Sequence, residues 1–372
     1  MPVRPVPAAA VIALAVAVGL TACSRDDTSP ETGPTSSPSS ESTSPPASPT
    51  TSPSTSPAGP ASRSATTQAL DWRPVPGPVD DLVTRNAGWT LTVTGNGAGW
   101  SLEGARSGSG DAPPGWRVSN ALLDDDWAVV VLQQKAEEKP SRATVTELAT
   151  GKSFSVDGRS DVPTTNGGTW ALGGGRLLYA TVRRGAYCLA SADLATRRST
   201  VSWCAPARHG FNAAHATPAG DPVLSFDDRV PACRTEVEVA DGAATPFPGV
   251  PACKAWEGLV TDDGAVWSVI PRERQVEAAH FTARQGSRTD DLGPGTSDSL
   301  VWCAGAAYFT RDPQRQGAPA ALMRWSPDAG LTVAYESAKG HAFLEAPRCG
   351  GSAITVTART SAGDEQVSAD LG

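Results

Sequence analysis

Hydrophobic and polar positions divide the 372-residue chain into three parts. Val6 to Leu20 form one apolar stretch of about fifteen residues, rich in Ala and Val. That is short against the roughly 20 residues a membrane-spanning helix needs. It suits the hydrophobic region of a signal peptide, with Arg4 as the positive residue before it. Residues 24 to about 70 are Ser, Thr and Pro with almost no apolar side chains. Such a segment cannot bury enough surface to offset the entropy of ordering, so a disordered tether is expected. Its proline content favours an extended stalk on the order of 100 Å long, or about 40 Å as a coil. The same composition occurs in O-glycosylated stalks. From about residue 72 onward, short runs of Trp, Val, Leu and Thr are broken by Gly, Asp and Pro. No long stretch carries apolar residues at helical spacing, and an all-β fold is predicted.

The apolar runs repeat. Glu147-Leu148-Ala149-Thr150-Gly151-Lys152-Ser153 is echoed by Asp193-Leu194-Ala195-Thr196-Arg197-Arg198-Ser199, 46 residues later. Both read as hairpin turns between strands, and similar turns follow at Ala240-Asp241-Gly242, Arg284-Gln285-Gly286 and Pro327-Asp328-Ala329-Gly330. A second class of turn runs in parallel. It appears at Asp124-Asp125-Asp126, Gly173-Gly174-Gly175, Ala219-Gly220-Asp221, Asp262-Asp263-Gly264, Ala304-Gly305 and Gly350-Gly351. Two hairpins per unit of about 45 residues make a four-stranded blade, and the pattern resembles β-propellers in general. The Gly-His and Trp-Asp signature of WD40 repeats is missing, so the resemblance extends to no named subfamily. Six blades are counted, or seven if residues 72–118 form one of their own. The chain ends where the last blade still needs its outer strand. An N-terminal strand is expected to close the ring there, with Trp89–Val93 and Trp100–Leu102 as candidates. Closure matters because an open strand edge invites pairing with other chains.

Leu20-Thr21-Ala22-Cys23 resembles the lipobox of bacterial lipoproteins. The resemblance implies lipid transfer to the Cys23 sulfur and cleavage after Ala22, leaving the protein on the outer side of the cell membrane. Two acyl chains, palmitate among them, suffice for stable anchoring at roughly 0.8 kcal/mol per buried methylene. A plain secreted protein and a retained transmembrane anchor are the alternatives. The expected organisation is a signal peptide over 1–22, a lipidated tether over 23–70 and a propeller over 71–372.

Six further cysteines, an even number, suit an oxidising compartment. Cys188 and Cys204 are equidistant from the Ala195–Arg197 turn, and Cys233 and Cys253 from the turn at Gly242-Ala243. Residues equidistant from a hairpin turn face each other, which predicts Cys188–Cys204 and Cys233–Cys253. Cys303 and Cys349 lie one repeat apart, each just before an inner turn, and should bridge neighbouring blades near the channel. The chain has no C-x-x-C pair to support a zinc site instead.

The formal net charge of −8 argues against a nucleic-acid partner. The sequence has no G-x-S-x-G elbow and no P-loop, and Gly95–Gly99 reads as a turn. His209, His215 and His341 fall in or beside loops entering blades, with Asp227-Asp228 and Glu137-Glu138 on the same face. No catalytic residue, metal or cofactor is assigned from this pattern. The charge placement is more specific. Arg183, Arg184, Arg229, Arg272, Arg274, Arg311 and Arg315 all fall in loops joining second to third strands. Blade-entry loops, on the same face, add Arg159, Arg208, Lys254 and Lys339, while the opposite turns carry Asp124–Asp126, Asp262, Asp263 and Asp328. Guanidinium forks suit carboxylates and phosphates. The expected function is a membrane-tethered binding or scaffolding module. Through its Arg face it would recognise an anionic ligand, a cell-wall polymer or an envelope protein. The bland reading is that these arginines only solvate loops. The alternative is a propeller enzyme of the envelope, a hydrolase or a quinoprotein-like dehydrogenase.

Overall fold

The computed structural model describes residues 66–67, 70–272, 275 and 278–372. The expectations of a lipid-bearing Cys23, of a signal peptide over 1–22 and of most of a tether over 23–70 fall outside the described residues.

The described residues form seven sheets arranged as the blades of a propeller. Blade 1 spans 82–111, blade 2 116–156, blade 3 170–204, blade 4 209–246, blade 5 255–295, blade 6 301–336 and blade 7 342–370. The count is therefore seven, and the favoured count of six is corrected. The missing unit is blade 1, whose strands are only four or five residues long. Trp89 and Trp100 belong to this blade: Thr90–Val93 and Gly99–Glu103 are its second and third strands. Neither supplies the outer strand of blade 7. The strand found there is Arg73–Pro74, antiparallel to Glu365–Asp370. Proline suits this place because an edge strand does not require every N–H. Just before it, Thr66–Thr67 pairs parallel to Gly330–Glu336, the outer strand of blade 6. Trp72 fastens the segment between them. Its indole Nε1 donates to the Ala334 carbonyl at 2.8 Å, and its ring meets Tyr335 edge-on at 5.1 Å.

Each sheet buries both faces against its neighbours, so the core lies between blades. Trp127, Val129, Tyr179 and Leu194 fill the space between blades 2 and 3. Phe281 and Phe309 stack at 4.1 Å between blades 5 and 6, a pairing worth roughly 0.5–1.5 kcal/mol beyond burial alone. Further clusters join blades 1 and 2, 3 and 4, and 6 and 7. The cluster between blades 4 and 5 is the smallest, formed by Phe247, Val260, Ala265 and Trp267.

Blade 7 meets blade 1 differently. Arg359 bonds Asp80, Glu345 and Asp364 at 2.8, 2.7 and 3.0 Å. Arg348 donates from Nε to Thr84 Oγ1 and from Nη2 to the Ala121 carbonyl, both at 2.8 Å, tying blade 7 to blades 1 and 2. Gln366 donates to the Asp81 carbonyl at 3.0 Å. The backbones come so close that a Cβ on Gly350 would sit 2.0 Å from the Arg85 carbonyl oxygen, so only glycine fits there.

Three disulfides are present: Cys188–Cys204, Cys233–Cys253 and Cys303–Cys349. Cys188 and Cys204 are direct partners in the ladder of blade 3. Cys253 lies beyond the outer strand of blade 4, in the loop leading to blade 5. Cys303–Cys349 joins the inner strands of blades 6 and 7 across 46 residues, worth roughly 4 kcal/mol in the chain-entropy model.

Arg359 is mostly buried, so replacing it leaves three carboxylates facing one another without a cation. Arg359→Met is expected to lower stability by about 1 kcal/mol, since the carboxylates of Asp80, Glu345 and Asp364 are 77, 34 and 39% exposed and water screens them. Hydrogen exchange should place the loss in blades 7 and 1. A variant with wild-type melting and protection would show that the seam does not depend on this group.

Candidate functional site

Strand parity fixes two chemically distinct faces. Turns after first and third strands lie on one face; loops after second and fourth strands lie on the other. Asp124–Asp126, Asp262-Asp263 and Asp328 occupy the first face together with Arg106, Lys152 and Arg197, and the arginine loops occupy the second together with Glu137, Glu138, Asp228 and Asp312.

The seven predicted arginines do not form one patch. Arg183, Arg184, Arg272 and Arg315 are exposed, with no ion pair among the described residues. Arg184 has φ 53° and Gly185 φ 80°, the geometry of a two-residue hairpin turn that holds the side chain outward. Arg229 pairs with Asp227 at 2.9 Å, and this partner holds the Asp227 carboxyl down at about 2. Arg311 is half-buried: Nη2 and Nε donate to the carbonyls of Leu292 and Pro294, both at 2.6 Å, so it joins blade 6 to blade 5. Arg274 lies outside the described residues. Arg315 lines a groove of about 800 Å³ between blades 6 and 7 with His341, Phe343 and Arg359.

The histidines do not converge. His209 faces the Ala207 carbonyl, and His280 pairs with Asp291 at 2.7 Å. His215 is not on the arginine face. It follows the inner strand of blade 4 and lines the mouth of the central channel on the acidic face. Burial pushes its imidazole down to about 4, so it is neutral at pH 7. Of the two expected acidic pairs, Asp227 is taken by Arg229, and Glu137 accepts from Gln133 Nε2 at 3.0 Å. No three His, Cys, Asp or Glu side chains among the described residues are grouped to hold a metal ion.

The channel mouth is a cavity of about 650 Å³ with contributions from all seven inner strands or their turns. Ala121, Leu122, Trp170, Leu172 and Trp302 give it an apolar wall, and Asp124–Asp126 form part of its rim. Asp124 Oδ1 accepts from the Asp126 and Trp127 N–H groups at 2.9 and 2.7 Å, closing an Asx turn. Asp125 Oδ1 accepts from Ser352 N and Oγ of blade 7 at 3.1 and 2.8 Å. Among the described residues, the one cation in the wall is Arg348. Sequence reading missed it, because its neighbours Pro347 and Cys349 signal only a strand end beside a disulfide.

Two further groups escaped the sequence. Glu236 and Glu257 are buried where blades 4 and 5 meet. Glu257 accepts from Ser268 Oγ and Leu300 N at 3.2 and 2.9 Å. Neither oxygen of Glu236 has a partner among the described residues. Its side chain occupies the space beside Gly258, where a Cβ would meet Glu236 Cγ at 2.5 Å. Burial pushes Glu257 up to about 8, and burial together with the Glu257 charge holds Glu236 well above the usual carboxyl range.

No family model matches the chain, and no curated protein matches it. Solved structures do. The propeller is similar to the β-propeller domain of the Trilobed protease from Pyrococcus furiosus, with TM-score 0.52 and 11% identity, covering 78% of this chain and 96% of that one. It is also similar to the acylaminoacyl peptidase of Pyrococcus horikoshii, with TM-score 0.51 and 10% identity, over 78% of this chain and 51% of that one. A prolyl endopeptidase matches at TM-score 0.49 and 14% identity, over 78% of this chain and 46% of that one. The chain thus spans about half the length of these two peptidases. At such identities the shared feature is the propeller fold alone.

The raised carboxyls set a sign for pH dependence. Unfolded, Glu236 and Glu257 release their protons near 4.5; folded, they retain them to higher pH. The native state then binds more protons, and stability falls as pH rises from about 4.5 towards 8. Glu236→Met, of similar shape and without charge, is expected to be more stable than wild type, with the difference growing as pH rises from 4.5 to 8. Urea unfolding at the two values measures this. Parallel pH profiles for variant and wild type would contradict it.

Proposed function

We propose that this protein is a binding propeller held to the outer side of a membrane through lipid on Cys23. It engages an anionic envelope ligand, a cell-wall polymer or an acidic protein surface, through the arginine face. The observation that carries this reading is the set of four exposed arginines, Arg183, Arg184, Arg272 and Arg315, without ion-pair partners among the described residues. They come from the same kind of loop in blades 3, 5 and 6, so one side of the ring presents spaced guanidinium forks. Such forks bind carboxylate and phosphate in bidentate fashion. The long Ser/Thr/Pro tether supports a target lying outward from the membrane.

The alternative is a propeller hydrolase or quinoprotein-like dehydrogenase. The scattered histidines favour binding over catalysis, since general base chemistry needs a base within hydrogen-bond reach of its nucleophile.

The test uses the processed protein and purified wall polymers. Binding at low salt that weakens strongly at high salt is expected. Changing Arg183, Arg184, Arg272 and Arg315 to Ala should weaken it by about tenfold or more while melting stays unchanged, because all four are exposed. Undiminished binding by this variant would remove the arginine face from the mechanism. Metabolic labelling with a palmitate analogue tests the anchor: label is expected on the wild type and none on Cys23→Ala.

A further inference from the structure

The channel mouth lies on the face opposite the exposed arginines, and its chemistry is different. Arg348, on the inner strand of blade 7, lines this cavity among mainly apolar side chains and also borders a smaller pocket beside Val93 and Asn120. A guanidinium carries five N–H donors in a planar fork. Nε and Nη2 hold Thr84 Oγ1 and the Ala121 carbonyl, which uses one edge of the fork. The end formed by Nη1 and the second hydrogen of Nη2 has no partner among the described residues. Both acceptors that Arg348 does have are neutral. Glu345, the acidic group whose charge reaches it, is itself bonded to Arg359. The cation is thus fixed in place by two neutral acceptors, with no carboxylate bonded to it among the described residues and two parallel donors uncommitted. That is the arrangement a carboxylate fits in bidentate fashion.

The rest of the cavity narrows the ligand. Trp170 and Trp302 line it, with Leu122 and Leu172, so the body of the ligand is flat and apolar. Ala121 lies three residues along the strand from Asp124, which puts the guanidinium contact about 10 Å inside the rim. Asp126 is exposed there, and Asp125 keeps its carboxylate beside Ser352. An acidic rim repels polyanions such as phosphorylated polymers more strongly than it repels a single charge. We propose that the channel mouth is a binding site for a small organic monocarboxylate with an aromatic or other flat apolar body, held by the free fork of Arg348. The site does not depend on the arginine face or on what that face binds.

Benzoate is a suitable probe, with benzamide as its uncharged isostere. Benzoate is expected to change tryptophan fluorescence saturably and to raise the melting temperature. Benzamide should bind at least about tenfold more weakly, and inorganic phosphate should give no saturable change. Arg348→Gln should abolish the preference for benzoate over benzamide. Because Arg348 also joins three blades, a second variant leaves it untouched. Ala304→Glu, at an exposed turn on the cavity rim, adds one negative charge and should weaken benzoate several-fold with little change in melting of the free protein. Equal binding of benzoate and benzamide, no binding of either, or benzoate affinity unchanged in Ala304→Glu would each overturn the proposal. None of these outcomes bears on wall-polymer binding, which the four-arginine variant reports separately.

Discussion

The contact on which the ring depends is the meeting of blade 7 with blade 1. Every other pair of neighbouring blades shares an apolar cluster. Here the two blades are held by guanidinium groups, an amide and a glycine that lets backbones touch. Apolar packing is strong but weakly directional. Hydrogen bonds from Arg348, Arg359 and Gln366 to named acceptors fix position and register where the last blade meets the first. The cost is desolvation of charge, which is offset only while each guanidinium keeps its partners. The N-terminal segment reinforces the same region. Trp72 and Arg73–Pro74 attach to blades 6 and 7, so the residues just before blade 1 are part of the fold.

The two faces follow from the same architecture. Alternate strand ends point to opposite sides, and the sequence puts Asp- and Gly-rich turns on one side and arginine-bearing loops, from the two-residue turn at Arg184-Gly185 upward, on the other. Tight turns favour Asp and Gly because an Asx carboxylate caps backbone N–H groups, as Asp124 does, and glycine accepts positive φ. The acidic character of the channel rim is therefore partly a by-product of turn chemistry. Arg184 shares that requirement at φ 53°, whereas Arg272 and Arg315 are not at positive φ, so turn geometry does not account for the charges there. Arg229 and Arg311 are already engaged, since one is neutralised by Asp227 and the other is used to join blades.

Much of this was legible in the sequence because turns recur with the blade. The hairpins at Ala195–Arg197, Asp241-Gly242, Gln285-Gly286 and Asp328 all lie where the repeat puts them, between third and fourth strands. The register that set these turns also pairs Cys188 with Cys204. Blade 1 entered only as the alternative count of seven, because its short strands and compressed turns break the 45-residue echo. The strand beside Glu365–Asp370 escaped because two residues, one of them proline, carry no strand signal at all. Site residues were less legible still. Exposure could be read for Arg183 and Arg184 from a tight hairpin, but the partners of Arg229, Arg311 and Arg348 come from other strands or loops. His215 was misplaced for a related reason: the inner strand of blade 4 begins at His209 and ends at Asn212, so His215 falls beyond it.

Apolar packing between blades is missing or thinnest at two interfaces. Apolar clusters join blades 1 through 4 and, separately, blades 5 through 7. Between these arcs lie the charged seam of blades 7 and 1 and the thin contact of blades 4 and 5. The second contains Glu236, buried without a bonding partner among the described residues. A buried carboxyl in that setting stabilises nothing as a salt bridge would; it persists protonated and weakens the interface as pH rises. Natural rings tolerate such a group when the rest of the interface has margin, and here the Cys233–Cys253 bridge ties the outer part of blade 4 to the loop entering blade 5. The two polar interfaces thus divide the ring into two well-packed arcs. Arg348 sits at one of the two junctions, so its two interblade bonds and its uncommitted fork belong to the same structural element. An anion on that fork would neutralise the cation while the Thr84 and Ala121 bonds hold blades 7, 1 and 2 together, coupling occupancy of the channel to the strength of the seam.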